Sequence, residues 1–165
     1  MTEDRGLQIV AEQPSDHAAV DALVAKAFGP GRFVKTAERL RETNQPRLDL
    51  SFVAYDGARL AGCVRLWPIH IGDAPLVFLG PFAVDPDLRS QGLGARLIEA
   101  ACKAAAAAGE VAILLVGDLA YFSRLGFERT DPEAIQLPGP VDTRRVLLRR
   151  LGDGCVDLKG LVRAG

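Results

Sequence analysis

The chain has 165 residues, 48% of them hydrophobic and 25% charged, enough to bury its own core without a second domain, and a formal net charge of -1. Both signs are spread along the sequence, which leaves no basic field to draw nucleic acid or an anionic membrane surface. The opening MTEDRGLQIV has no basic region followed by an apolar stretch, and no run of about 18 apolar residues occurs, so the reading is a soluble, cytoplasmic protein without secretion signal or membrane span.

Leu7 to Glu12 is short and partly alternating, as an opening strand would be. After Pro14, Ser15 is placed to cap a helix in which Val20, Leu23, Val24, Ala27 and Phe28 recur on one face, with Gly29 and Pro30 as its stop. His17 falls in the first turn of that helix, where it is read as solvated. A looser helical pattern, with Phe33, Ala37 and Leu40 on one side, covers Phe33 to Glu42. LSFVAYDGARLAGCVRLWPIHIG then reads as an antiparallel hairpin around Asp56-Gly57, a dipeptide that accepts the positive φ of a tight turn. Beyond Gly72-Asp73 a further strand runs from Pro75 to Val84 and ends at Pro86.

From Gly92 to Ala108 the residues Leu93, Leu97, Ala101, Ala104, Ala105 and Ala108 form the apolar face of a helix whose small side chains permit close packing on a sheet. VAILLV (Val111 to Val116) is apolar throughout and predicts a buried central strand. A short helix over Asp118 to Leu125, a strand from Phe127, the connection LPGP and a last strand around Arg145 to Leu151 complete the pattern. Arg144, Arg145, Arg149 and Arg150 bracket that strand and read as solvated strand ends. Cys63, Cys102 and Cys155 are odd in number, far apart and set among apolar neighbours, which fits reduced packing residues rather than a disulfide or zinc site.

Between the strand ending at Val84 and the helix from Gly92 lies RSQGLGARL, Arg89 to Leu97. A helix start offers unpaired N–H groups and the positive end of the helix dipole, and glycine lets a bulky anion approach the backbone, so such a turn favours phosphate. A P-loop requires GKS or GKT, whereas Ala95 and Arg96 follow Gly94. A dinucleotide fingerprint requires glycine where Leu97 stands, and a parallel sheet where three antiparallel-looking strands come first.

A third design, R/Q-x-x-G-x-G/A at a helix start, is matched at every fixed position by Arg89-Ser90-Gln91-Gly92-Leu93-Gly94. Here the chain resembles the GNAT superfamily of acetyl-CoA-dependent N-acetyltransferases. LGPFAVDPDLRSQGLG looks like that family's central strand and loop, and GDLAYFSRLGF (Gly117 to Phe127) like its later helix and strand. With LPGP added, the pattern is similar to the YhbS-like branch and covers nearly the whole chain. The resemblance implies one α/β (α+β) domain over residues 1–165, with a mixed, mostly antiparallel twisted sheet of six to seven strands, about four flanking helices and a splayed central strand pair.

It also implies a reaction. An amine of a small molecule or peptide attacks the thioester of acetyl-CoA while both are bound; no metal is involved, and the protein is a monomer or homodimer. Arg89 is expected to take part in binding the cofactor, and the amides of Ser90, Gln91, Gly92, Leu93, Gly94 and Ala95 to hold the pyrophosphate. Backbone groups of Phe82, Ala83 and Val84 are expected to hold the pantetheine arm, and one N–H near there to face the developing oxyanion. An alkylamine with a pKa of about 10.4 must lose a proton before it attacks; Asp85, Glu128 and His70 are the candidate bases. The family's usual thiolate-protonating tyrosine falls at Phe122, one position after Tyr121, so Tyr121 is the candidate acid, although one helix position turns a side chain by about 100°. Trp67, Phe28, Phe33 and Arg32 lie in segments that border the acceptor side in this family. The alternative is a binding module that senses acyl-CoA without turnover.

Overall fold

The structure, a computed structural model, describes residues 7–28, 36–152 and 157–165, with backbone alone at 89–91. Cys155, Arg32, Phe33 and the rest of the GPGRF turn lie outside the described residues.

The strands are β1 (Leu7–Ala11), β2 (Phe52–Asp56), β3 (Arg59–Ile71), β4 (Ala74–Val84), β5 (Ala112–Val116), β6 (Glu128–Arg129), β7 (Ile135–Gln136), β8 (Val146–Arg150) and β9 (Gly160–Ala164). The α-helices are α1 (His17–Phe28), α2 (Leu93–Ala107) and α3 (Leu119–Phe122). The main sheet runs β1-β2-β3-β4-β5-β8-β6, antiparallel except for the β4–β5 pair. β2 covers the first half of one edge of β3 and β9 the last three residues of the same edge, Ile69 to Ile71. Among the described residues there are nine strands where six to seven were expected, because β7 and β9 are short and find partners only across the fold. Among the described residues there are three α-helices where about four were expected: the described part of the second pattern folds as a 3-10 helix over Thr36–Leu40.

The two long helices take opposite faces of the sheet. Val20, Leu23 and Val24 of α1 pack with Val53, Cys63 and Ala83, while Leu93, Leu97, Ile98 and Ala101 of α2 pack with Ala54, Val64 and Val84. The alternation Val53/Ala54, Cys63/Val64 and Ala83/Val84 is the period of two that sends neighbouring side chains to opposite sides. α2 sits close because Gly62 faces it: a Cβ there would lie 2.7 Å from a Leu97 methyl. Buried on both faces, β5 is apolar throughout, with Ala112 to Leu115 at most 1% exposed. Among the described residues no helix is long and apolar enough to cross a membrane.

Four local expectations are corrected. Ser15 does not cap α1; it lies within a 3-10 turn, Pro14–Asp16, where the Gln13 N–H donates to the Asp16 carboxylate at 2.8 Å. His17 is not merely solvated: its Nε2 lies 3.1 Å from Glu12 Oε2, and that buried carboxylate is held by Arg65 at 3.0 Å. Arg149 is no solvated strand end either, since it bridges Glu99 of α2 and the Leu125 carbonyl, both at 2.9 Å. β8 is not the last strand, because β9 follows it. Cys63 and Cys102 are free and buried, and burial pushes their thiols up to about 12 and about 11 respectively.

Candidate active site

β4 and β5 are hydrogen-bonded only at Val77–Ile113 and Phe78–Leu114, after which they part. The cause lies in β4. Gly80 and Pro81 together face the single residue Arg65 of β3, a bulge that bends the strand, and Pro81 brings no N–H to a ladder. The Trp67 indole N–H donates to the Gly80 carbonyl and fixes the bend. From Leu79 to Val84 one edge of β4 is therefore open. Because the Asp85 N–H donates to Ala61 O at 2.8 Å, on the β3 side, strand alternation turns the peptide groups of Ala83 toward β3 and those of Phe82 and Val84 toward the gap.

The gap opens into a cavity of about 830 Å³ between the end of α1, residues 36–41, the ends of β4 and β5, α3 and the loop at 140–145. A latch closes its far side: Thr36 Oγ1 donates to the Pro140 carbonyl, and Arg39 Nη1 to the Pro138 carbonyl at 2.6 Å. Gly139 permits this approach, since a Cβ there would lie 2.6 Å from Arg39 Nη1.

The glycine turn sits at the C-terminal end of β4. Asp85 caps a 3-10 turn, Pro86–Gln91, by accepting from the Asp87 N–H at 3.0 Å, and pairs with Arg59 at 2.6 Å. Gly92 follows with φ +69 and starts α2, whose first hydrogen bond at this end runs from Arg96 N to Gly92 O. The amides of Leu93, Gly94 and Ala95 therefore have no acceptor inside the helix. A Cβ on Gly92 would meet nothing within 4 Å, so the turn faces open space. At Gly94 a Cβ would lie 2.7 Å from Tyr121 Oη and 3.0 Å from Phe82 Cζ. The missing side chain at Gly94 thus lets the Tyr121 hydroxyl lie against the start of α2.

α3 settles how Tyr121 and Phe122 divide. Asp118 caps it by accepting from Ala120 N at 3.2 Å. Phe122 is 8% exposed and packs edge-on to Phe127 and onto Gly117. Tyr121, 39% exposed, turns to the cavity and stacks on Phe82 with ring centroids 6.3 Å apart. Burial pushes the Tyr121 phenol above its ordinary value, so it keeps its proton at neutral pH.

The candidate bases do not line this cavity. Asp85 is spent on its cap and on Arg59. His70 stands opposite Pro75 and Arg163, at the other end of β4 from Val84, and Glu128 is exposed in β6. The carboxylates that do line it are Asp118 and Asp142. Thr36, Arg39, Arg41 and Arg145 also line it; sequence reading found no role for the first three and took Arg145 for a solvated strand end. Phe28 lines it, whereas Trp67 belongs to the core beneath β4. Among the described residues no cluster of His, Cys, Asp and Glu is arranged to hold a metal.

The Asp87 N–H and then Arg59 hold the Asp85 carboxyl below the usual carboxylate range. A lowered folded pKa adds stability above the unfolded value of about 3.9, which is lost as pH falls through the folded one. The melting temperature of Asp85→Asn is accordingly expected to lie below that of the parent above about pH 5, the gap closing as pH drops under about 4. A gap independent of pH, in parallel melts, would show that the charge of Asp85 is not what stabilises the turn.

Residues 48–129 match a family model described as an acetyltransferase (GNAT) domain. The chain is 30% identical to the uncharacterized N-acetyltransferase YhbS of Escherichia coli K12 over 158 residues, 93% of each protein. Its fold superposes on the crystal structure of E. coli YhbS in complex with CoA with a TM-score of 0.84 and 28% identity, covering 100% of this chain and 93% of that one. A GNAT acetyltransferase from Brucella melitensis in complex with acetyl-CoA shares the fold, with a TM-score of 0.71, 24% identity and coverage of 98% and 97%. With a relative so similar over nearly its full length, and with the splayed β4–β5 pair and glycine turn in place, the chain belongs to the GNAT family of N-acetyltransferases.

Proposed function

We propose that residues 1–165 form one acetyltransferase domain that moves an acetyl group from acetyl-CoA to a primary amine of a small molecule or peptide, by direct attack with both substrates bound. The observation that carries this reading is the open edge of β4, which runs from the cavity to a glycine turn where a Cβ on Gly92 would meet nothing within 4 Å. The turn from Arg89 to Ala95 would seat the pyrophosphate, with its backbone N–H groups and the α2 dipole favouring the anion. Phe82 and Val84 would bond the pantetheine arm in the manner of an added strand, and one of their N–H groups would face the developing oxyanion. Bound acetyl-CoA supplies the thioester and a thiolate leaving group. Tyr121 would hold the proton for that thiolate at Oη, which supports turnover over binding alone. Asp118, the lining carboxylate that no arginine holds among the described residues, would accept the amine proton, directly or through water.

Calorimetric titration with acetyl-CoA, coenzyme A and ATP tests the reading. Binding of the first two and not of ATP is expected. ATP binding, or no binding of any of the three, would remove it.

A further inference from the structure

The charges on the cavity wall do not balance, and the imbalance bears on the acceptor. Arg41 is neutralised by Glu38 at 2.7 Å. Asp142 is spent on Arg144, which donates Nε and its backbone N–H to Oδ1 and Nη2 to Oδ2, each at 3.0 Å. Among the described residues Arg39 meets only a neutral acceptor, the Pro138 carbonyl. Arg145, exposed just before β8, makes no side-chain hydrogen bond or ion pair among the described residues; its field reaches Asp142 and helps keep that carboxyl ionised. Among the described residues, two guanidinium groups, Arg39 and Arg145, are therefore set against one carboxylate, Asp118, which already caps α3.

An alkylamine or polyamine arrives as a cation and adds to an excess of positive charge. An amine with its own carboxylate arrives neutral overall and offers the planar anion that a guanidinium fork binds in two places. The latch at Thr36 and Arg39 holds the 36–40 turn against the 138–140 loop, and Arg39 and Arg145 both line the cavity behind it. The same cavity has an apolar lining as well, with Val24, Phe78 and Leu79 suited to the remainder of a small molecule. We infer that the acceptor is a small amine bearing a carboxylate, the chemical class of the amino acids, and that Arg145, with Arg39 lining the same cavity, binds that carboxylate. This rests on the acetyl-transfer reading above.

The test is acetylation of matched sets: leucine, leucinamide and isopentylamine, then phenylalanine, phenylalaninamide and phenethylamine. The amide's amine is the less basic of each acid–amide pair, and more of it is uncharged at neutral pH. A preference for the acid therefore cannot come from amine reactivity. The expected kcat/KM is about tenfold or more higher for the acid than for its amide, as suits one charge-assisted pair. In Arg145→Gln that ratio is expected to fall about tenfold, with part of it kept in Arg145→Lys. Equal or faster turnover of amides or plain amines, no turnover of the acids, or an unchanged ratio in Arg145→Gln would overturn the inference. Acetyl-CoA is titrated into the same preparations. Intact binding without acid preference removes this inference alone; no binding by the unmutated protein removes the acetyl-transfer reading with it. Weakened acetyl-CoA binding in Arg145→Gln would assign the guanidinium to the co-substrate and also overturn the inference.

Discussion

Gly92→Val is expected to raise the Kd for acetyl-CoA by roughly 100-fold or more while the protein still folds. Gly92 has φ +69, and a Cβ on it would point into open space. Valine there places two methyl groups where an anion must approach the amides of Leu93 and Gly94. The left-handed backbone costs a branched L-residue about 1–2 kcal/mol, small beside the 5–15 kcal/mol typical of a folded domain. Circular dichroism and a thermal melt establish the fold, and calorimetry gives the affinity. A folded variant with unaltered affinity would show that the pyrophosphate sits elsewhere.

Tyr121→Phe is expected to lower kcat about thirtyfold and leave acetyl-CoA affinity as it was. A thiol with a pKa of about 8.5 can depart as thiolate at neutral pH, for a penalty of about 2 kcal/mol when no acid is at hand. The ring of phenylalanine keeps the stacking on Phe82, so the change isolates the hydroxyl. Because burial raises the phenol, the parent enzyme is expected to retain its acid up to a pH above the ordinary tyrosine value of about 10, and to lose rate beyond it. Single-turnover rates compared across pH check both points. Equal rates for the two proteins would leave Tyr121 as a packing partner of Phe82.

The elements that hold the glycine turn were legible because each carries a local signal. The Asp56-Gly57 turn announces the β2–β3 hairpin, the apolar run at 112–116 announces β5, and the small-residue face announces α2. β7 and β9 were not legible: Ile135–Gln136 and Gly160–Ala164 are too short for a period and exist only through partners elsewhere in the fold. Residues 36–40 show an apolar side in sequence, yet the turn tightens to 3-10 geometry while bonded to a loop some hundred residues on. The cavity wall failed for the same reason. Arg39 and Arg145 are ordinary surface arginines in sequence, and only the tertiary fold brings both to the lining of one cavity. Tyr121 and Phe122 were ambiguous because a four-residue helix has no periodicity to phase them; the cap at Asp118 and the bare Cα of Gly117 decide it.

The parting of β4 from β5 has a bearing on self-association. A row of free strand donors and acceptors is ordinarily a template on which another chain can zip, and proteins guard such edges with charge, bulges or proline. Here the free row lies inside the sheet, between two strands joined at their other ends, and it begins at a bulge containing a proline. The protein thus has an unpaired strand edge without presenting it at its periphery, where a second copy would extend the sheet.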